Sequence, residues 1–124
     1  MSLRLGHRVA INCVHAAKDS TVFIGMSDGI IVQMKSGAVV GQVHLKNAGV
    51  GFILDDRNGF IVGGSNGIYR FERGKAEAYL YCSASNGLPE NYATCGAVDR
   101  EGDLWLGLGS KGVAKLSDRK CGSL

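Results

Sequence analysis

A threefold internal repeat constrains this chain more than any other feature. Segments AKDSTVFIGMSDGIIVQM at 17–34, DDRNGFIVGGSNGIYRF at 55–71 and DREGDLWLGLGSKGVAKL at 99–116 align on two glycines each. Gly25, Gly63 and Gly107 are 38 and 44 residues apart, and Gly29, Gly67 and Gly112 are 38 and 45 apart. A period near 40 residues means one supersecondary unit used three times, each unit burying its apolar face against its neighbours.

The unit reads as strands. A polar turn (18–21, 56–59, 100–103) precedes a short β-branched or aromatic run at 22–25, 60–63 and 104–107, where successive side chains face opposite sides. Then Ser27-Asp28-Gly29, Ser65-Asn66-Gly67 and Ser110-Lys111-Gly112 each end in the glycine that a tight hairpin uses for positive φ, and a second strand leaves. Apolar stretches at 9–14, 50–54 and 93–98 lie upstream, and 39–45 and 76–81 supply a fourth strand in two units. The predicted fold is all-β, a single domain over 1–124 of three four-stranded antiparallel β-propeller blades near 8–45, 46–84 and 85–124. The third unit is one strand short, and residues 2–5 are the candidate closing strand. Propellers run from about four to eight blades, so three blades are expected to belong to a larger propeller or to close by oligomerisation, most simply as a two-chain ring of six.

Composition agrees. The chain holds 124 residues, with 19 Gly against 1 Pro, room for one domain with many turns. Fourteen Lys and Arg against 11 Asp and Glu give a net charge of +3. These basic residues are scattered, which argues against nucleic acid as a partner. No apolar run is long enough to span a bilayer, and the N-terminus lacks the pattern of a signal peptide, which puts the chain as it stands in the cytoplasm. Cys13, Cys82, Cys95 and Cys121 show no CxxC spacing and read as free thiols; Cys13 and Cys95 share a repeat position, expected to be a small buried packing slot.

Residues 85–118, SNGLPENYATCGAVDREGDLWLGLGSKGVAKLSD, closely resemble the two-component-regulator propeller repeat. The resemblance rests on Asn86-Gly87-Leu88-Pro89 with Asn91 behind it, Asp99, Gly102, Leu104-Trp105-Leu106-Gly107, and Gly112 leading into an apolar-basic strand. The first two units keep only the strand-Gly-turn-Gly half, with Phe23 and Ile61 in place of Trp105. The resemblance implies seven-bladed propellers in the extracytoplasmic sensor region of bacterial hybrid histidine kinases, associated with sensing polysaccharide breakdown products. A periplasmic location would follow if the chain is excised from such a kinase.

Other motifs reduce to structure. Gly107-Leu-Gly-Ser-Lys-Gly112 fits GxGxxG, but a strand follows it where a nucleotide site needs a helix. His7, His15 and His44 have no metal-ligand spacing, so no metal or cofactor is expected. Asp55-Asp56, Asp99 and Glu101 are expected to cap turns, and Trp105 to pack against a neighbouring blade. The leading function is a non-enzymatic module binding a carbohydrate or peptide on the face shared by the first-strand loops and the strand-two to strand-three hairpins. The candidate ligand-binding residues there are Asp28, Asn66, Asn86, Glu90, Asn91, Tyr92 and Lys111. The alternative is a propeller-type enzyme fragment such as a lyase.

Overall fold

The computed structural model describes residues 10–46, 48–56, 59–72, 74–75, 77–83, 88, 92–109 and 112–116. Strands β1 (Ile11–Ala16), β2 (Val22–Met26), β3 (Ile30–Lys35) and β4 (Ala38–His44) form a first sheet in that order. A second sheet follows from β5 (Val50–Asp56), β6 (Gly59–Gly64), β7 (Gly67–Glu72) and β8 (Tyr79–Cys82), and a third from β9 (Cys95–Val98), β10 (Leu104–Leu108) and β11 (Gly112–Leu116). All pairings within the sheets are antiparallel. The closing strand expected at 2–5 lies outside the described residues.

Two recurring glycines set the local geometry. The hairpin glycines take positive φ, 92° at Gly29, 133° at Gly67 and 83° at Gly112, which suits residues without a Cβ. Gly25, Gly63 and Gly107 instead make room: each stands opposite a larger residue of the first strand, Cys13, Phe52 and Cys95. A Cβ at Gly107 would lie 2.6 Å from the Cys95 Sγ, and one at Gly63 would enter the Phe52 ring.

Alternation along each strand then sorts the core into layers. Between the first and second sheets, Phe23, Ile31, Val43 and Leu45 meet Val50, Ile53, Phe60, Val62 and Phe71. Phe23, Phe60 and Phe71 form a ring cluster with centroids 4.6 to 5.7 Å apart. Between the second and third, Phe52, Ile61 and Ile68 meet Leu104, Leu106, Leu108 and Leu116. Each such side chain, fully buried, contributes about 1.5–3 kcal/mol. The sheets touch chiefly where β1 and β2 meet β5 and where β5 meets β9. No helix among the described residues is long and apolar enough to cross a membrane.

Three expectations are corrected. Trp105 is 40% exposed, because β10 turns Leu104, Leu106 and Leu108 toward the second sheet and Trp105 the other way. Cys95 lies on that same outer side and is exposed, whereas Cys13, at the equivalent position, is half-buried by the second sheet. Burial pushes the Cys13 thiol pKa up, against a smaller opposing pull from its hydrogen bond with the Gly25 backbone. Asp55 and Asp56 belong to β5 rather than to a turn: Asp55 Oδ1 sits 3.0 Å from His15 Nε2, and Asp56 Oδ2 accepts from Arg70 Nε at 3.3 Å.

Candidate functional site

The ladders of the first two sheets share one interruption, between their first and second strands. Register shifts between Ile11 and Cys13, and between Val50 and Phe52, leave Asn12 and Gly51 as extra residues near the start of the sheet's first strand. Such bulges bend the strand and re-aim a side chain. Thr94 occupies the corresponding place in the third sheet, immediately before Cys95, and its amide and Oγ1 both donate to the Gly107 carbonyl, at 2.8 and 3.3 Å.

The hairpin serines fasten the chain just ahead of these bulges. Ser27 donates its amide to the Ala10 carbonyl at 2.9 Å and accepts from the Ala10 amide on Oγ at 3.1 Å. Ser65 repeats this with Gly49, at 3.1 and 2.9 Å. The first hairpin also lies directly against the chain leading into the second sheet, where a Cβ at Gly49 would come within 2.6 Å of the Ser27 carbonyl oxygen. Hairpin, lead-in segment and next hairpin thus form a continuous rim.

On this rim opens a cleft of about 410 Å³ to which all three sheets contribute. Asn12 and Ser27 come from the first, residues 49–51 with Gly64 and Ser65 from the second, and Tyr92, Ala93 and Thr94 lie at the lead-in to the third. Asn12 Nδ2 donates to the Val50 carbonyl at 2.8 Å, which ties the first sheet to the second at the cleft. Tyr92 is 54% exposed and offers an open aromatic face. Hydroxyls, a carboxamide, backbone amides and one phenol ring can hydrogen-bond and stack. The lining contains no carboxylate, imidazole or thiol among the described residues.

Of the residues expected to bind a ligand, Tyr92 lines this cleft. Asp28 is exposed at the tip of its hairpin, where Oδ1 accepts from the Ile30 amide at 3.1 Å and so shapes its own turn. Asn66 is exposed in the two-residue loop beside Ser65. Asn86, Glu90, Asn91 and Lys111 lie outside the described residues. Asn12, Ser27, Ser65 and Thr94 were not anticipated from the sequence. Two signals pointed to them: a serine opens both of the first two hairpins, and Asn12 and Thr94 each precede one of the two cysteines that share a repeat position.

Away from the cleft, Asp99 gathers three hydrogen-bond donors. Its carboxylate accepts from the Glu101 and Asp103 amides at 2.9 and 3.0 Å, the turn capping expected of it, and from Trp105 Nε1 at 2.8 Å. The Trp105 hydrogen bond holds the Asp99 pKa below the usual carboxylate value; desolvation opposes it, and the two amides and Lys115 add smaller pulls in the same downward direction.

No protein-family model matches the chain, and no curated protein sequence matches it. Solved structures do. The fold is similar to the extracellular domain of a hybrid two-component system from B. thetaiotaomicron, with TM-score 0.77 and 19% identity over 90% of this chain and 16% of that one. Two structures of a second extracellular domain from that organism, described as a one-component and as a hybrid two-component system, give TM-scores of 0.72 and 0.71 at 19% identity. They cover 93% of this chain and 16% of theirs, so the chain spans about a sixth of the length of the domains whose fold it shares.

Proposed function

We propose that the three sheets are consecutive blades of a β-propeller and that the chain is a non-enzymatic, ligand-binding part of an extracytoplasmic sensor. The observation that carries the reading is the cleft, since each sheet brings a first-strand or lead-in residue to one concavity that can hydrogen-bond and stack. That chemistry suits a carbohydrate or a peptide, both of which need hydrogen bonds plus a flat apolar contact. Proton transfer would need an acid or base from beyond the described lining. The fold shared with extracellular sensor domains supports the same assignment and the compartment. Asn66, beside Ser65, and Asp28, beside Ser27, would extend the polar rim.

The test is a glycan array run beside a peptide library on the full chain, followed by titration of any hit against Tyr92→Ala and Asn12→Ala. Tyr92→Ala should weaken binding at least about tenfold, the loss of one good aromatic contact, without changing circular dichroism. A ligand whose affinity both substitutions leave untouched would place recognition outside this cleft.

A further inference from the structure

The place of the bulge occurs once per sheet, and it carries a different residue each time. Counting back from the residues paired with Gly25, Gly63 and Gly107 makes Asn12, Gly51 and Thr94 equivalent, and likewise Ile11, Val50 and Ala93 before them. Asn12 spends a carboxamide hydrogen on the Val50 carbonyl of the next sheet, at 2.8 Å. Thr94 spends its hydroxyl hydrogen on the Gly107 carbonyl of its own sheet, at 3.3 Å. Gly51 has no side chain to spend. The acceptor that an asparagine there would use is nevertheless in place. Ala93 is the counterpart of Val50 one sheet on, and its carbonyl oxygen lies 3.6 Å from where a Cβ on Gly51 would stand. Ala93 is 2% exposed and lines the cleft, and among the described residues no hydrogen-bond donor reaches its carbonyl. A carbonyl so far removed from water is normally paired, because without a donor it forfeits its solvation. The backbone does not demand glycine here, since Gly51 lies in β5 without a positive φ.

We propose that a ligand amide takes the part of the missing carboxamide: an N–H group of the ligand donates to the Ala93 carbonyl, as Asn12 donates to Val50. The inference rests on the cleft being the binding site, and it narrows the ligand to one that carries an amide N–H. Gly51 leaves room for that group, and Tyr92, next to Ala93 in the chain, offers an exposed ring for the flat face of such a ligand. The Ser27 and Ser65 oxygens already accept from the Ala10 and Gly49 amides, which leaves both hydroxyl hydrogens for a ligand oxygen such as that of the same amide.

An N-acylated sugar and a peptide share this group, and two probe pairs separate them. NMR titration of the full chain compares the methyl glycoside of N-acetylglucosamine with its O-acetyl ester counterpart, and N-acetylalanine N-methylamide with methyl O-acetyl-lactate, in which oxygen replaces each N–H. In at least one pair the amide should bind about tenfold tighter than the ester, the span of one hydrogen bond to an otherwise unpaired acceptor. A preference in the sugar pair alone assigns an N-acylated sugar, and one in the peptide pair alone a peptide. Gly51→Asn should erase the preference and keep its thermal midpoint, because its own carboxamide then serves Ala93, and Asn12 and Thr94 already hold a Cβ at this place in their sheets. Gly51→Ala, which fills the place without supplying a donor, should weaken the amide probes about as much. Equal affinity within both pairs, or no shift from either amide up to about 50 mM, overturns the proposal. Where that equal binding is still weakened by Tyr92→Ala, the cleft stands as the binding site and only the amide is lost. A preference that survives in both folded Gly51 variants also overturns the proposal, since the amide is then read elsewhere.

Discussion

The contact between the first and second sheets and the contact between the second and third use different chemistry for one job. The former is aromatic and cross-linked: Phe23, Phe60 and Phe71 cluster in its centre, His15 reaches Asp55, and Asn12 holds the Val50 carbonyl. The latter is mostly aliphatic, with three leucines of β10 facing Ile61 and Ile68, and Phe52 lying against Gly63 and Gly96. The difference teaches that departures from the repeat pattern are fitted, residue by residue, to the next sheet. Phe23 and Ile61 occupy the Trp105 position, and each is nearly or fully buried against the side chains it meets.

The largest effect should come from breaking the aromatic contact. Phe60→Ala removes the ring nearest to both others, 4.6 and 4.9 Å between centroids, and should cost about 3–5 kcal/mol, more than Leu106→Ala in the aliphatic contact, where neighbours collapse more readily into the space. Denaturant titrations of both variants measure this, and equal losses would mean that the aromatic cluster carries no special share.

Much of the architecture was legible because glycine spacing and alternation are local signals. The strands at 22–25, 60–63 and 104–107 reappear in β2, β6 and β10 extended by a residue or so, and the shared position of Cys13 and Cys95 is visible in the ladders. Burial was legible only where a neighbour follows. Trp105 and Cys95 carry the same local pattern as Phe23 and Cys13, yet their exposure depends on a covering sheet that their own segment does not encode. Bulges were hidden for a related reason: an extra residue such as Asn12 or Gly51 shows only in the pairing of two strands, so the cleft it creates cannot be read along one of them.

A smaller effect sharpens the comparison at its glycines. Gly63→Val drives a side chain into the Phe52 ring, which is wedged between two sheets and has nowhere to move, and should cost about 1–3 kcal/mol. At Gly107→Val the one close contact is the side chain of the exposed Cys95, which can rotate away, and the substitution should cost less. Thermal midpoints that fall equally would show that the third sheet is as tightly covered as the second.

The smallest effect belongs to the open side itself. Trp105 is half-exposed and anchored by a surface carboxylate, so Trp105→Ala should cost no more than about 1 kcal/mol of stability. Its anchor gives a pH signature. Asp99 has its pKa depressed in the folded state, first by the Trp105 hydrogen bond, so its contribution is present above the unfolded carboxylate pKa and is lost as pH falls through the lower folded value. Trp105 is the single tryptophan of the chain, so tryptophan emission reports the surroundings of this one ring. Emission should hold steady from neutral pH down to about 4 and change only below it, as the protonated carboxyl loosens its grip on Nε1. Asp99→Asn should remove that acid transition while leaving the emission at neutral pH near its starting value, because an amide oxygen can still accept the indole hydrogen. A transition that survives in Asp99→Asn would show that the Asp99 carboxylate is not its source, and that the indole is held by something other than this hydrogen bond.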